Sequence, residues 1–316
     1  MPALLTHYLM AEEALEHAQL QFESPKERQA YLLGAQGPDP YFFRTFTFDA
    51  HAAHLYAKSA HHNKIIEQFR AFYDALKLLK PNDVKLAKAY VYGFLAHYTL
   101  DSLAHPFVYA NQFSLMDADD KLKGGANQVH AIIESDIDSS MLRRLRGYDV
   151  SLAYIKECLT LDDESLALIG RLHSYVAKRV YEIDLDYREF EHSVKDMRTI
   201  YQLIEGDNSL GFKLLSGLEK RIKNFSMLKA LSHRQANAQS DSHLNLDKQS
   251  WSNPFTRRSS NTNFVEIFEH SVIEYKTKLT IFLSGNDYSE LSKHLNYSGQ
   301  ILDENELYPL VHLKYE

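Results

Sequence analysis

Three residues spaced four apart, His97, Asp101 and His105, carry the clearest chemical signal in the chain. On an α-helix that spacing stacks the three side chains along one face. Imidazole, carboxylate and imidazole are ligands that suit Zn2+. His130 and Glu134 follow as a second pair at helical spacing. Each group has an ordinary alternative. A lone buried histidine is commonly a hydrogen-bonded core residue, and His130 with Glu134 fits an i,i+4 pair on a solvated face. Five ligand-type residues on two helices shift the balance towards metal. The residues around His97 (Phe94, Leu95, Tyr98, Leu100 and Leu103) are apolar, so His97 and Asp101 are expected in the interior. A buried carboxylate between imidazoles is costly unless a cation neutralises it.

Three further candidates precede this stripe. Asp39 lies in Gly34-Ala-Gln-Gly37-Pro38-Asp39-Pro40, where two glycines and two prolines demand a turn. The flanking prolines predict a stiff, extended backbone there. A plain turn aspartate is the alternative. His61 and His62 read equally as a ligand site or as a solvated helix pair. His7 alone says little.

The elements that must hold these residues read as helices almost throughout. Thr6 is placed as the N-cap of a first helix running to about Gln21, with Leu9, Ala11, Leu15 and Ala18 on one stripe. Pro25 opens a second. Asp49 to Leu79 reads as helical, with a stripe at Ile65, Phe69, Phe72 and Leu76. The helix from about Val84 to Ala104 is apolar on nearly every side, which predicts a central position, and Pro106 should end or kink it. Asn127 to Leu145 carries His130 and Glu134. Further helices are expected near 151–160, 163–183, 187–205, 208–223, 225–235 and 264–283, where histidines are sparse and unpaired. Ser240 to Asn263 reads as a polar loop or lid, and the tail after Gly285 as mixed, with room for a short strand. The fold class is therefore all-α: a metal-binding helical core over 1–148, and a helical extension over 149–316 packed on it.

Composition narrows the function classes. Net charge is −7 with no basic stripe, which argues against duplex nucleic acid as a partner. Cys158 is the only cysteine, so no intrachain disulfide can staple the fold, and metal could do so instead. No stretch approaches 18 apolar residues and no charged leader precedes an apolar run, so a cytoplasmic protein is expected. There is no P-loop and no glycine-rich dinucleotide motif.

The ordered set of His7, Asp39, His61, the His97-x3-Asp101-x3-His105 stripe and His130-x3-Glu134 resembles the zinc-dependent phospholipase C family. That family shares its fold with fungal single-strand nucleases. The resemblance covers roughly residues 1–145 by motif. It implies a mostly helical fold holding two or three Zn2+ ions. Asp39, His61, His97 and Asp101 would hold the first, and His105, His130 and Glu134 the second. His7 and a bridging Asp101 would contribute to the third. Asp39 would also be the candidate general base. Two departures stand out. Secreted members complete the third site with an N-terminal Trp, which is not found near His7 here, so the third site stays incomplete unless another group, such as His51 or His54, completes it. The best-known secreted enzymes also space the counterparts of Asp101 and His105 more widely.

The chemistry implied is hydrolysis of a phosphodiester by zinc-activated water. The substrate would be a phospholipid head group or a small phosphoester, with Tyr41-Phe42-Phe43 as a wall of the mouth or as core, and with peripheral membrane contact compatible with a lipid. Two other classes stay open. One is a zinc nuclease for single strands, for which Arg143-Arg144-Leu-Arg146 and Arg257-Arg258 are the compact basic clusters. The other is a non-catalytic protein whose helices zinc holds together. The oligomeric state is not legible.

Overall fold

The computed structural model describes residues 4–47, 49–205, 226–233, 235–311 and 313–314, with the backbone alone at 238 and 239. The helix expected at 208–223 lies outside the described residues. The architecture is all-α. The helices are α1 (Leu4–His17), α2 (Pro25–Gly34), α3 (His51–His62), α4 (Ile65–Lys77), α5 (Pro81–Ala118), α6 (Ala126–Arg146), α7 (Leu152–Leu159), α8 (Asp163–Tyr181), α9 (Arg188–Glu205), α10 (Met227–Leu231), α11 (Ala238–Ser242), α12 (Phe264–Ser284) and α13 (Ser289–Ser292). Two 3-10 turns, Asp39–Phe43 and Asp120–Leu122, join them. The only ladder among the described residues pairs Trp251–Ser252 with Ser259–Ser260, inside the stretch expected to be a loop. Isolated bridges, Leu295 with Ile301 and Leu302 with Pro309, stand in the tail where a strand was expected. No described helix is long and apolar enough to cross a membrane.

Helix α5 is the axis, as its all-round apolar surface predicts. It is buried from Ala87 to Val108 at nearly every position and is packed by α1, α2, α6 and α12. The approach of α2 is unusually close. A Cβ on Gly34 would sit 2.1 Å from the Tyr90 carbonyl oxygen, and one on Gly93 would sit 1.9 Å from that of Tyr31. Only glycine on both helices lets the backbones touch. The close fit carries the turn after α2 over the middle of α5, where His97 lies.

Four expectations need correction. Pro106 does not end α5, which continues to Ala118. Proline in a helix interior forfeits one hydrogen bond and costs about 3 kcal/mol. Burial of Phe107, Val108, Gln112 and Met116 beyond it offsets that cost. Asp49–Leu79 is not one helix: Asn63 is extended and Lys64 is left-handed (φ 54), with its N–H donating to the Glu306 carbonyl at 2.8 Å. The break separates two buried stripes, Ala53-Tyr56-Ala57-Ala60 on α3 and Ile65-Phe69-Phe72-Leu76 on α4, that one straight helix would not align. Asp39 opens a 3-10 turn instead of an extended segment, because a proline in the first turn of a helix sacrifices no bond. Finally, Thr6 is no N-cap, since the helix is already formed at Leu4.

The cap of α1 comes from α6. Asp138 accepts from Leu5 N (2.9 Å), Thr6 N (2.6 Å) and Thr6 Oγ1 (2.5 Å). A carboxylate at a helix N-terminus satisfies free amides and complements the helix dipole. Asp138 is held in turn by His233 Nε2 at 3.0 Å, whose Nδ1 faces Glu205 at 3.1 Å. His233 is thus paired through tertiary contacts that local spacing does not show. His173 is another: it lies between the Tyr56 and Tyr90 hydroxyls at 2.8 and 2.6 Å, and burial lowers it to about 3, so it is neutral.

Burial would lower the pKa of His233 as well, but Asp138 and Glu205 outweigh that and raise it to about 9. A group raised in the folded state stabilises fully below its unfolded pKa of ~6.5, and the contribution disappears as pH rises through the folded value. The melting temperature should therefore fall between pH 6.5 and 9, and His233→Gln should flatten that slope. An equally steep slope in the variant would contradict the clamp.

Candidate metal centre

The eight residues singled out by sequence converge on one buried region. His7 comes from α1, Asp39 from the 3-10 turn, and His61 from α3. His97, Asp101 and His105 come from α5, and His130 and Glu134 from α6. His97, Asp39 and His7 lie deepest, at 0, 1 and 3% exposure, while the other five are 5–7% exposed. Solvent is therefore nearest on the side of His61, Asp101, His105, His130 and Glu134. His61 turns inward and His62 outward. His51 and His54 are exposed on α3 and do not join the buried set, so the expectation that one of them serves beside His7 does not hold.

Around Asp39 and Asp101, imidazoles face carboxylates. His61 Nε2 lies 3.0 Å from Asp39 Oδ1, and His97 Nε2 lies 3.2 Å from Asp101 Oδ2 and 4.0 Å from Asp39 Oδ2. His7 Nε2 is 3.1 Å from Asp101 Oδ1, and its ring stacks on His97 with centroids 4.1 Å apart. Asp101 thus directs one oxygen at His97 and the other at His7. A second group forms around Glu134, whose Oε1 is 3.1 Å from His130 Nε2 and 3.4 Å from His105 Nε2. Two atoms bound tetrahedrally to one zinc sit roughly 3.3 Å apart, given bonds of about 2.0–2.1 Å. Three sets have ligand atoms mutually within 4.8 Å: His61-His97-Asp101, His7-Asp39-His97, and His105-His130-Glu134. The first two share His97, and the third is separate.

The hydrogen bonds behind the rings fix how they face. His61 Nδ1 is 2.7 Å from the Ala57 carbonyl, one helical turn back, and His97 Nδ1 is 3.1 Å from that of Ala35. His105 Nδ1 is 2.7 Å from the Tyr297 carbonyl, and His130 Nδ1 is 2.8 Å from Gln112 Oε1. All four acceptors require the proton on Nδ1, which leaves Nε2 of the neutral ring as a bare lone pair aimed at the cluster. Outer partners that hold metal-binding histidines work in this way. Gly37, at φ +55, permits the turn that brings Ala35 over His97; a Cβ there would fall 2.2 Å from the His97 ring.

The electrostatics show what these atoms would accept. His61 Nε2, His97 Nε2, Asp39 Oδ1 and Glu134 Oε2 are buried and have no hydrogen bond of acceptable geometry. Lone pairs facing carboxylate oxygens at 3.0–3.2 Å repel unless a cation lies between them. Burial would raise the pKa of Asp39 and of Asp101, but the neighbouring histidines outweigh it and hold Asp39 below the usual carboxylate range and Asp101 well below it. Glu134 is lowered by His130 and His105 against the same burial. Burial lowers His97 and His130, whereas His105, between Asp101 and Glu134, is raised to about 9. The donor set fits zinc: imidazole nitrogens with deprotonated carboxylates, and orphaned buried atoms pointing inward.

A family model described as zinc dependent phospholipase C matches residues 6–205, more than half of the chain. The chain belongs to that family. No curated protein and no solved structure matched it. Within the family frame, every zinc-ligand candidate lies inside the matched stretch, whereas Tyr297 lies beyond it.

Gln112 lies beyond the helix as the sequence reads it, to about Ala104 with an end or kink at Pro106. It stands two turns beyond His105 on the same helix, and its Nε2 donates to the Ala126 carbonyl at 3.2 Å. That bond fixes the amide, so Oε1 must be the atom facing His130. Gln112→Leu should weaken zinc binding about 10- to 100-fold. Chelator competition reads this directly, and an unchanged affinity in the leucine variant would contradict the role.

Proposed function

We propose that this member of the zinc-dependent phospholipase C family is a hydrolase of phosphodiesters that acts on a phospholipid head group or a small phosphoester. The observation that supports this best is the convergence of histidine Nε2 atoms, four of them on rings fixed through Nδ1, on three buried carboxylates, with His61 Nε2, His97 Nε2, Asp39 Oδ1 and Glu134 Oε2 left without a hydrogen bond. Asp39, His61, His97 and Asp101 would hold one ion, and His105, His130 and Glu134 another, with His7 and Asp101 available to a third. Zinc bound by these residues would lower the pKa of water towards neutral and offset phosphoryl charge. The protein does the rest. Asp39, pinned between prolines, orients water beside His61. Its lowered pKa makes it a weak proton acceptor, so holding and orienting is its main part.

The rim bears on substrate. Tyr41 and Phe43 are core residues, whereas Phe42 is half-buried with its ring 5.3 Å from His61. On the other side Tyr109 lies 4.9 Å from the His130 ring and carries Phe255, from the 240–263 segment, 5.9 Å away. Aromatic walls at the more accessible edge suit an ester with an apolar portion. In the first basic cluster Arg143 pairs with Asp149, and Arg146 with Glu13. Hydrolysis of a chromogenic phosphocholine ester, abolished by chelation and restored by zinc, is expected to exceed that of single-stranded DNA. Faster cleavage of the DNA would instead favour the nuclease reading.

The burial of all eight candidates favours one other reading, a closed zinc site that only holds helices together. X-ray absorption of the loaded protein separates the two. A water-bearing position supports hydrolysis, and a shell filled by protein atoms supports the structural role.

A further inference from the structure

Three of the inward-facing histidines receive their Nδ1 acceptor from within the stretch matched by the family: His61 from Ala57, His97 from Ala35 and His130 from Gln112. His105 does not. Its acceptor is the main-chain carbonyl of Tyr297, 192 positions away and well past residue 205. Tyr297 is fully buried and reaches more than one ligand. Its N–H donates to the His61 carbonyl at 3.2 Å. Its ring centroid is 4.9 Å from that of His61 and 5.7 Å from that of His97.

The tyrosine is itself fixed. Its hydroxyl donates to Gln68 Oε1 at 2.7 Å, while Gln68 Nε2 faces the Ala60 carbonyl (3.2 Å) and the Tyr181 hydroxyl (3.1 Å). Asn296 Oδ1 accepts from Ser298 N and Gln300 N, both at 3.0 Å, which closes the loop around Tyr297. The Tyr98 hydroxyl, from α5, anchors the Leu295 carbonyl at 2.8 Å.

We infer that Tyr297 is a positioning residue for both metal groups, orienting His105 through its carbonyl and His61 and His97 through its ring and N–H. The inference rests on the zinc reading above. The geometry shows what the carbonyl prevents. His105 Nδ1 also lies 3.7 Å from Asp101 Oδ1. Without the Tyr297 carbonyl, the Nδ1 proton would turn to that oxygen, which is the one facing His7. His105 would then be misdirected, and Asp101 drawn away from its other partner. One backbone oxygen, 192 positions from His105 in sequence, therefore keeps the two groups apart.

The test compares zinc affinity, by competition with a chromogenic chelator, in the unaltered protein, Tyr297→Phe, Tyr297→Leu and Tyr288→Leu. Melting temperatures of the chelated proteins are recorded in parallel. Tyr288 is equally buried in the same C-terminal region but packs on Phe282 and Tyr73, away from the ligands. Tyr297→Phe keeps the ring and should bind zinc within about twofold of the unaltered protein. Tyr297→Leu should weaken it about 10- to 100-fold, the range for outer partners of metal ligands. Tyr288→Leu should lower the melting temperature and leave zinc affinity alone. Unchanged affinity in Tyr297→Leu, or an equal loss in Tyr288→Leu, overturns the inference. If the unaltered protein takes up no zinc, the zinc reading itself fails. If Tyr297→Leu does not fold, nitrogen-15 histidine NMR of the unaltered, zinc-loaded protein decides. A His105 proton on Nδ1 supports the inference, and a proton on Nε2 overturns it.

Discussion

Asp101→Asn should remove at least one zinc per chain and reduce phosphodiester hydrolysis by more than about 100-fold, a loss above roughly 2.7 kcal/mol in the barrier. Asp39→Asn should lose less metal. The contrast follows from what each carboxylate faces. Asp101 meets His97 through Oδ2 at 3.2 Å and His7 through Oδ1 at 3.1 Å, with His105 at 3.7 Å from the same oxygen. It is the one carboxylate of the centre that contacts histidines assigned to every group. Asp39 meets His61 at 3.0 Å and His97 only at 4.0 Å. An asparagine at 101 keeps the shape but loses the charge, and turns an amide N–H2 towards one imidazole. Breaking a buried charge pair by removing one partner costs about 3–5 kcal/mol, so the metal-free variant should also melt lower. Elemental analysis of the two purified variants is the deciding measurement. Equal metal content in both would contradict the bridging position.

The parts of the centre that were legible in sequence are those that a helix repeats locally. The stripe at 97, 101 and 105 and the pair at 130 and 134 follow from the α-helical period alone. Asp39 follows from the order of the motif and from the turn after α2, which gives it a reason to be fixed, whereas His61 is separated from His62 only by the Lys58-Ser-Ala pattern before it. What was not legible came from distant chain segments. The carboxylate that caps α1 belongs to Asp138, more than 130 residues away, and no local pattern announces it. The acceptor for His105 is a backbone carbonyl, which has no side-chain signature. Gln112 is hidden by Pro106, because helix propensity is overridden there by tertiary burial. The break at Lys64 was hidden by two helical stripes that differ in phase but abut in sequence. In each case the missing information is a contact between elements, and a single sequence carries little of it.

Removing zinc should lower the melting temperature, and the gap between loaded and chelated protein should widen from pH 6.5 to 9. Two effects of one proton produce this. In the metal-free state Asp101 and Glu134 raise His105 to about 9. A base raised on folding stabilises fully below ~6.5 and loses that contribution as pH rises through its folded value. The chelated protein should therefore weaken across this window, by on the order of 2–3 kcal/mol for a shift of this size. Zinc needs the neutral ring, so loading must release the same proton and becomes more favourable as pH rises. Free zinc at 100 times its dissociation constant adds about 2.7 kcal/mol to the folded state, which is about 5 °C for a large domain. The His233 clamp titrates in the same range but acts on both forms alike, so it tilts the two curves together without opening the gap. His105→Gln, which cannot take up the proton, should leave a narrower gap that no longer depends on pH between these limits. Paired melting curves with excess chelator and with excess zinc, at pH 6.5, 7.5 and 9, measure it. A constant gap in the unaltered protein would mean that His105 neither carries this proton nor yields it to the metal, and the second group of ligands would have to be redrawn without it.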